Sequence, residues 1–127
     1  MRYLFIFLFL SAALSAQTPN QVPVITGLSV AADWNANTLT VTYDVSDAEN
    51  DPLEISLGLS ADGGKTYGLT AQVGATGDLG YPVVPGTGRT IICDIGQLAA
   101  LQNANFTVRL VADDKLFFSV ESIIECV

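Results

Sequence analysis

Between Thr38 and Val45 the chain reads TLTVTYDV, with Leu39, Val41, Tyr43 and Val45 falling at one parity and Thr38, Thr40, Thr42 and Asp44 at the other. A helix would scatter both sets around its circumference, whereas extended backbone sends alternate side chains to opposite faces. The pattern therefore predicts a strand with one face buried and one wet, as in an antiparallel sheet. The same period of two recurs at Leu53, Ile55, Leu57 and Leu59, and again at Ile91, Cys93 and Ile95. It returns at Phe106, Val108, Leu110 and Ala112, and in the closing run through Leu116, Phe118, Val120, Ile124 and Cys126. Val22, Val24, Leu28 and Val30 are expected to share a face ahead of these.

Turn-forming residues separate the runs: DWNANT from Asp33, SDAENDP from Ser46 and SADGGKT from Ser60. YGLTAQV, starting at Tyr67, reads as a further strand. The Gly- and Pro-rich residues 74–89 read as an irregular connection with at most a short edge strand, and GQLAALQNAN from Gly96 as one helical turn at most. About seven strands without a substantial helix predict an all-β, antiparallel sandwich of immunoglobulin or fibronectin III type. A small barrel is the alternative. Trp34 falls in a turn, so the buried Trp that antibody domains carry on their third strand is absent.

The first residues follow a different logic. Met1 and Arg2 form a short basic start, Tyr3 to Leu10 are apolar, and SAALSA supplies small residues before QTPN. That is the layout of a secretory signal. The apolar run is shorter than the roughly 20 residues needed to cross a bilayer. We read residues 1–16 as a cleaved signal peptide, with the cut after Ala16 or, since Leu14 is a poor −3 residue, after Ser15. Residues 17–23 then form a flexible N-terminal linker, and residues 24–127 the β-sandwich domain. The expected address is secreted, periplasmic or cell-surface, with no membrane insertion after cleavage. About 110 residues suffice for one hydrophobic core but not two.

The chain carries a formal charge of −8 and has no histidine. Lys65, Arg89, Arg109 and Lys115 are scattered, which argues against nucleic acid, since a phosphate backbone needs clustered cations. Without histidine a Ser-His-Asp triad, a Cys-His pair and most zinc sites are impossible within this chain. No phosphate-binding glycine loop occurs. The expectation is a non-catalytic protein. A hydrolase working through two carboxylates is a remote alternative.

Four candidate features remain. Ser60, Asp62, Gly64, Thr66 and Tyr67 fit S-x-D-x-G-x-T-aromatic, the Asp-box found in sialidase-type propellers and other secreted β-proteins. Here Asp62 can accept from turn amides and the glycines can take positive φ, so a structural hairpin is expected rather than a ligand site. Asp44, Asp47, Glu49 and Asp51 crowd one turn; calcium takes such oxygens, and Asp113 or Asp114 would lie nearby if the strands pair suitably. The simpler reading is an acidic surface turn, and apart from that calcium no cofactor is expected. Trp34, Tyr81 and Phe117 are candidates for stacking on a sugar. Cys93 and Cys126, in an oxidising compartment, are expected to form a disulfide, closing a loop of about 34 residues for roughly 3–4 kcal/mol.

Taken together, VTYDVSDAENDPLEISLGLSADGGKTY, GTGRTIICDIGQL and NFTVRLVADD resemble a β-sandwich module of secreted bacterial proteins. That module often precedes a formylglycine-generating-enzyme-like (sulfatase-modifying factor) domain or sits among fibronectin III-like repeats. Cys93 stands where the module usually has Trp. The resemblance implies an accessory module that binds a protein or glycan partner or serves as structure, and not the enzyme it accompanies. A carbohydrate- or calcium-binding adhesion-type domain is the alternative.

Overall fold

The computed structural model describes residues 19–116 and the backbone of residues 119–126. The expected signal segment, Gln17 and Phe117 lie outside the described residues. The strands are β1 (Val24–Asp33), β2 (Thr38–Ser46), β3 (Leu53–Ser60), β4 (Gly74–Gly77), β5 (Gly80–Val83), β6 (Gly86–Asp94), β7 (Phe106–Asp113) and β8 (Ser119–Cys126). They form two antiparallel sheets, one ordered β1-β2-β6-β4 and the other β5-β3-β7-β8. The all-β, two-sheet expectation holds at that level.

The core lies between the sheets and follows the period of two. β2 contributes Leu39, Val41, Tyr43 and Val45, and β3 contributes Leu53, Ile55 and Leu59. Ile91 and Cys93 of β6 meet Val108, Leu110 and Ala112 of β7 in the same cluster. Each large side chain buried this way is worth about 1.5–3 kcal/mol, so a few such strands supply most of the drive to fold. Among the described residues no helix is long and apolar enough to cross a membrane.

Three local expectations are corrected. Val22 and Val24 are exposed at 40% and 49%, and the inward residues of β1 are Ile25, Leu28 and Val30. The register slips between Thr26 and Ser29, where Gly27 takes a φ of 61°. One extra residue in a bulge reverses the phase of everything before it. The second correction concerns residues 67–73. Leu69–Gln72 form a 3-10 turn, not a strand. Thr70 Oγ1 accepts the Leu59 amide at 2.8 Å, so this turn completes the edge of β3 with a side chain in place of a strand. Third, residues 74–89 hold two short strands and the start of β6, not one irregular connection. GQLAAL from Gly96 is a short 3-10 helix that buries Leu98.

Candidate functional site

The acidic turn between β2 and β3 is folded back on itself. Asn50 adopts a φ of 58°, a conformation Asn tolerates better than most residues. Its amide donates to the Asp47 carbonyl at 3.0 Å, and the Asp51 amide donates to Asp47 Oδ2 at 2.7 Å. As a result Asp47, Glu49 and Asp51 each bring a carboxylate oxygen within 4.8 Å of the others. Asp44 is not part of this group. It lies on the outer face of β2, where Oδ1 accepts the Gly88 amide at 2.8 Å.

The segment leading into β1 crosses the same end of the domain. The Gln21 amide donates to Glu49 Oε1 at 3.2 Å, and Asn20 Nδ2 donates to Asp114 Oδ2 at 2.7 Å. Asp114 is only 4% exposed, and its other oxygen accepts the Leu116 amide. Pro23 is buried and anchors the segment. Two oxygens here are shut off from solvent and receive no hydrogen bond: Asn20 Oδ1 and Asp47 Oδ1. Asp113, the other aspartate considered from sequence, faces Glu54 across β3 and accepts the Lys115 amide. Sequence reasoning missed Asn20. A lone Asn in a polar, proline-containing stretch looks like linker, and only the fold reveals its neighbours.

At the opposite end of β3 the Ser60–Tyr67 loop satisfies its own polar groups. Fully buried Ser60 accepts from the Gly64 amide at 3.0 Å and donates to Asp62 Oδ1 at 2.6 Å. Thr66 donates through its amide to Asp62 Oδ1 and through its hydroxyl to Asp62 Oδ2. The Ser60 hydroxyl first, then Thr66, hold the Asp62 carboxyl well below the usual carboxylate range. Gly63 and Gly64 take φ values of 74° and 87°. Tyr67 then lies over Gly58 of β3, where any side chain would meet its ring at 2.9 Å, and the Arg109 guanidinium sits 3.9 Å from the ring centre. The polar and aromatic atoms of this motif are thus engaged with one another.

The remaining candidates separate. Trp34 is half-buried and packs on Phe106, with ring centres 5.9 Å apart, so it belongs to the core's edge. Tyr81 is 55% exposed on the edge strand β5, with Lys115 Nζ 5.5 Å from its ring. Lys115 also pairs with Glu54, which raises its pKa.

The expected disulfide is not formed at Cys93, which is a buried free thiol pushed up to about 11 by that burial. Cys93 faces the core from β6, while the strand carrying Cys126 pairs outside β7 and runs alongside β1. The Cys126 side chain itself lies outside the described residues. The chain finds no match among family models, curated proteins or solved structures.

Proposed function

We propose that this chain is an exported, non-catalytic β-sandwich of immunoglobulin or fibronectin III type, working as an accessory module of a secreted or cell-surface bacterial system. The observation that carries the reading is strand order. β1-β2-β6-β4 opposite β3-β7-β8 corresponds to the ABED and CFG sheets of that architecture, with β5 added beside β3. A scaffold of this kind holds loops at its two ends, and function resides in those loops rather than in the fold. The self-satisfied Ser60–Tyr67 loop supports a structural role for the Asp-box-like motif.

The export half is tested by expressing the whole chain in a bacterial host and sequencing the N-terminus of the product outside the inner membrane. Gln17 or Ala16 at the start is expected, and an uncut chain held in the cytoplasm would contradict it. A panel of glycoside and ester substrates tests the non-catalytic half, where turnover lost in a carboxylate variant would overturn it.

A second reading, glycan binding, is favoured by exposed Tyr81 beside Lys115. A glycan array with wild type and Tyr81→Ala separates the two. Signal lost in the variant supports binding, and a blank array favours a spacer.

A further inference from the structure

We infer that the end of the sandwich carrying the N-terminal segment is a docking surface for a protein partner whose contact face is apolar and basic. The first support is where the exposed apolar side chains lie. Among the described residues the large ones are Val22, Val24, Tyr81, Val84, Ile92 and Leu116. Ile92 stands apart on the outer face of β6, opposite Thr40 and Thr76. The others share one end. Val24 pairs with Ser46 at the last residue of β2, and Gln21, next to Val22, bonds Glu49 in the β2–β3 loop. Val84 follows Val83, which pairs with Leu53 at the first residue of β3. Leu116 follows β7, whose last residue, Asp113, pairs with Glu54. Lys115 beside it reaches both Glu54 and the Tyr81 ring. Apolar side chains scattered singly over a surface are ordinary, whereas a gathering of them rimmed by polar groups marks an interaction site.

The second support is that this surface is ordered in advance. Pro23 is buried, and hydrogen bonds from Gln21 to Glu49 and from Asn20 to Asp114 fix the segment that carries Val22 and Val24. The Leu116 amide is held by the Asp114 carboxylate. Groups already fixed lose less conformational entropy when a partner arrives.

Charge selects the occupant. Asp47, Glu49 and Asp51 lie in the β2–β3 loop of this end, and Glu54 and Asp113 at the paired ends of β3 and β7. The cations here are engaged: Lys115 pairs with Glu54, and Arg89 donates to the Pro85 carbonyl. The excess is negative. A second copy meeting this end with its own would bring like charges together, and an anionic lipid surface would be repelled. A basic protein face is attracted and steered, while its apolar side chains cover the exposed ones. This names a partner class for the accessory-module reading and rests on that reading.

Amide chemical-shift mapping of the exported chain with a short amphipathic peptide of leucine and lysine tests the surface. We expect shifts confined to residues 20–24, 47–54, 81–86 and 113–116, with an affinity that falls as salt rises. The matching peptide of leucine and glutamate should give none. Val84 and Leu116 are 60% and 50% exposed, so Val84→Ser combined with Leu116→Ser should melt as wild type does. That double variant should bind the basic peptide at least about fivefold more weakly. Ile92→Ser, away from this end, should bind it as wild type does. No shift, shifts spread over the whole surface, or equal binding of the acidic peptide overturns the docking surface. A double variant that binds as tightly as wild type overturns its apolar half, and affinity indifferent to salt overturns its charged half. A failure of export is read separately, from the N-terminal residue of the product, and leaves these outcomes unchanged.

Discussion

Replacing Ser60 by Ala removes the hydroxyl around which the Ser60–Tyr67 loop is hydrogen-bonded. The hydroxyl is fully buried, accepts the Gly64 amide at 3.0 Å and the Asp62 amide at 3.3 Å, and donates to Asp62. The longer contact counts for little, so the main loss is the Gly64 bond and the amide it leaves unpaired. A hydrogen bond of this kind contributes about 0.5–1.5 kcal/mol, and the Gly64 amide is only partly buried, so a loss of about 1 kcal/mol is expected. For a domain of this size each kcal/mol lowers the melting temperature by about 4–8 °C.

The substitution also releases Asp62. Its carboxyl is held below its ordinary range in the folded state, chiefly by the Ser60 hydroxyl. A depressed carboxyl stabilises the fold above its unfolded pKa of about 3.9 and loses that contribution as pH falls from there through the folded value. Wild type should therefore lose melting temperature below about pH 4 more steeply than Asp62→Asn. Thermal unfolding followed by circular dichroism from neutral pH to pH 2 reads both effects. A Ser60→Ala variant within about 0.5 kcal/mol of wild type, the range of ordinary surface changes, would refute the wiring assigned to the loop. Coincident acid slopes would refute the role of Asp62.

Two further outcomes follow from single positions. Gly77 has a φ of 109°, and a Cβ there would lie 2.3 Å from the Thr90 carbonyl oxygen, which is fixed backbone. Gly77→Ala should cost about 1–3 kcal/mol by overpacking, with further strain from the positive φ, whereas Gly74→Ala, which meets nothing, should be near neutral in the same urea titration. Equal effects at the two sites would contradict the pairing of β4 with β6. Cys93, buried with its thiol at about 11, should label only as fast as the domain opens, and rapid labelling in native protein at pH 8 would be inconsistent with its place in the core.

How far the sequence could be read depended on how local the signal was. β2, β6 and β7 are legible because each keeps a period of two against a buried face, and β3 because Leu53, Ile55 and Leu59 keep it even though Gly58 and Ser60 are buried as well. β1 is legible as a strand but not in phase, since Gly27 reverses the pattern through a bulge that no periodicity reveals. Residues 67–73 alternate like a strand, yet they meet β3 through a single bridge between Gly68 and Leu59 before turning away in a 3-10 turn. The Leu59 amide donates to the Thr70 hydroxyl. β4 and β5 are four residues each and carry Gly and Pro, so composition hides them.

The acidic turn was visible as a cluster of carboxylates, and its fold-back gathers three of the four. Asp44 was miscounted because even residues of β2 point outward. Asn20 was invisible because its contact with Asp114 spans 94 residues of sequence. In the Ser60–Tyr67 motif the acceptor role of Asp62 was readable, because its partners lie within a few residues; the bonds of Ser60 were not, and Tyr67 leads into a 3-10 turn instead of the return strand of a hairpin.

The account turns most on the reading of this chain as an exported β-sandwich module, and sequencing the N-terminus of the product found outside the inner membrane tests it directly. The prediction is a chain that starts at Gln17 or Ala16. An uncut chain held in the cytoplasm would contradict it.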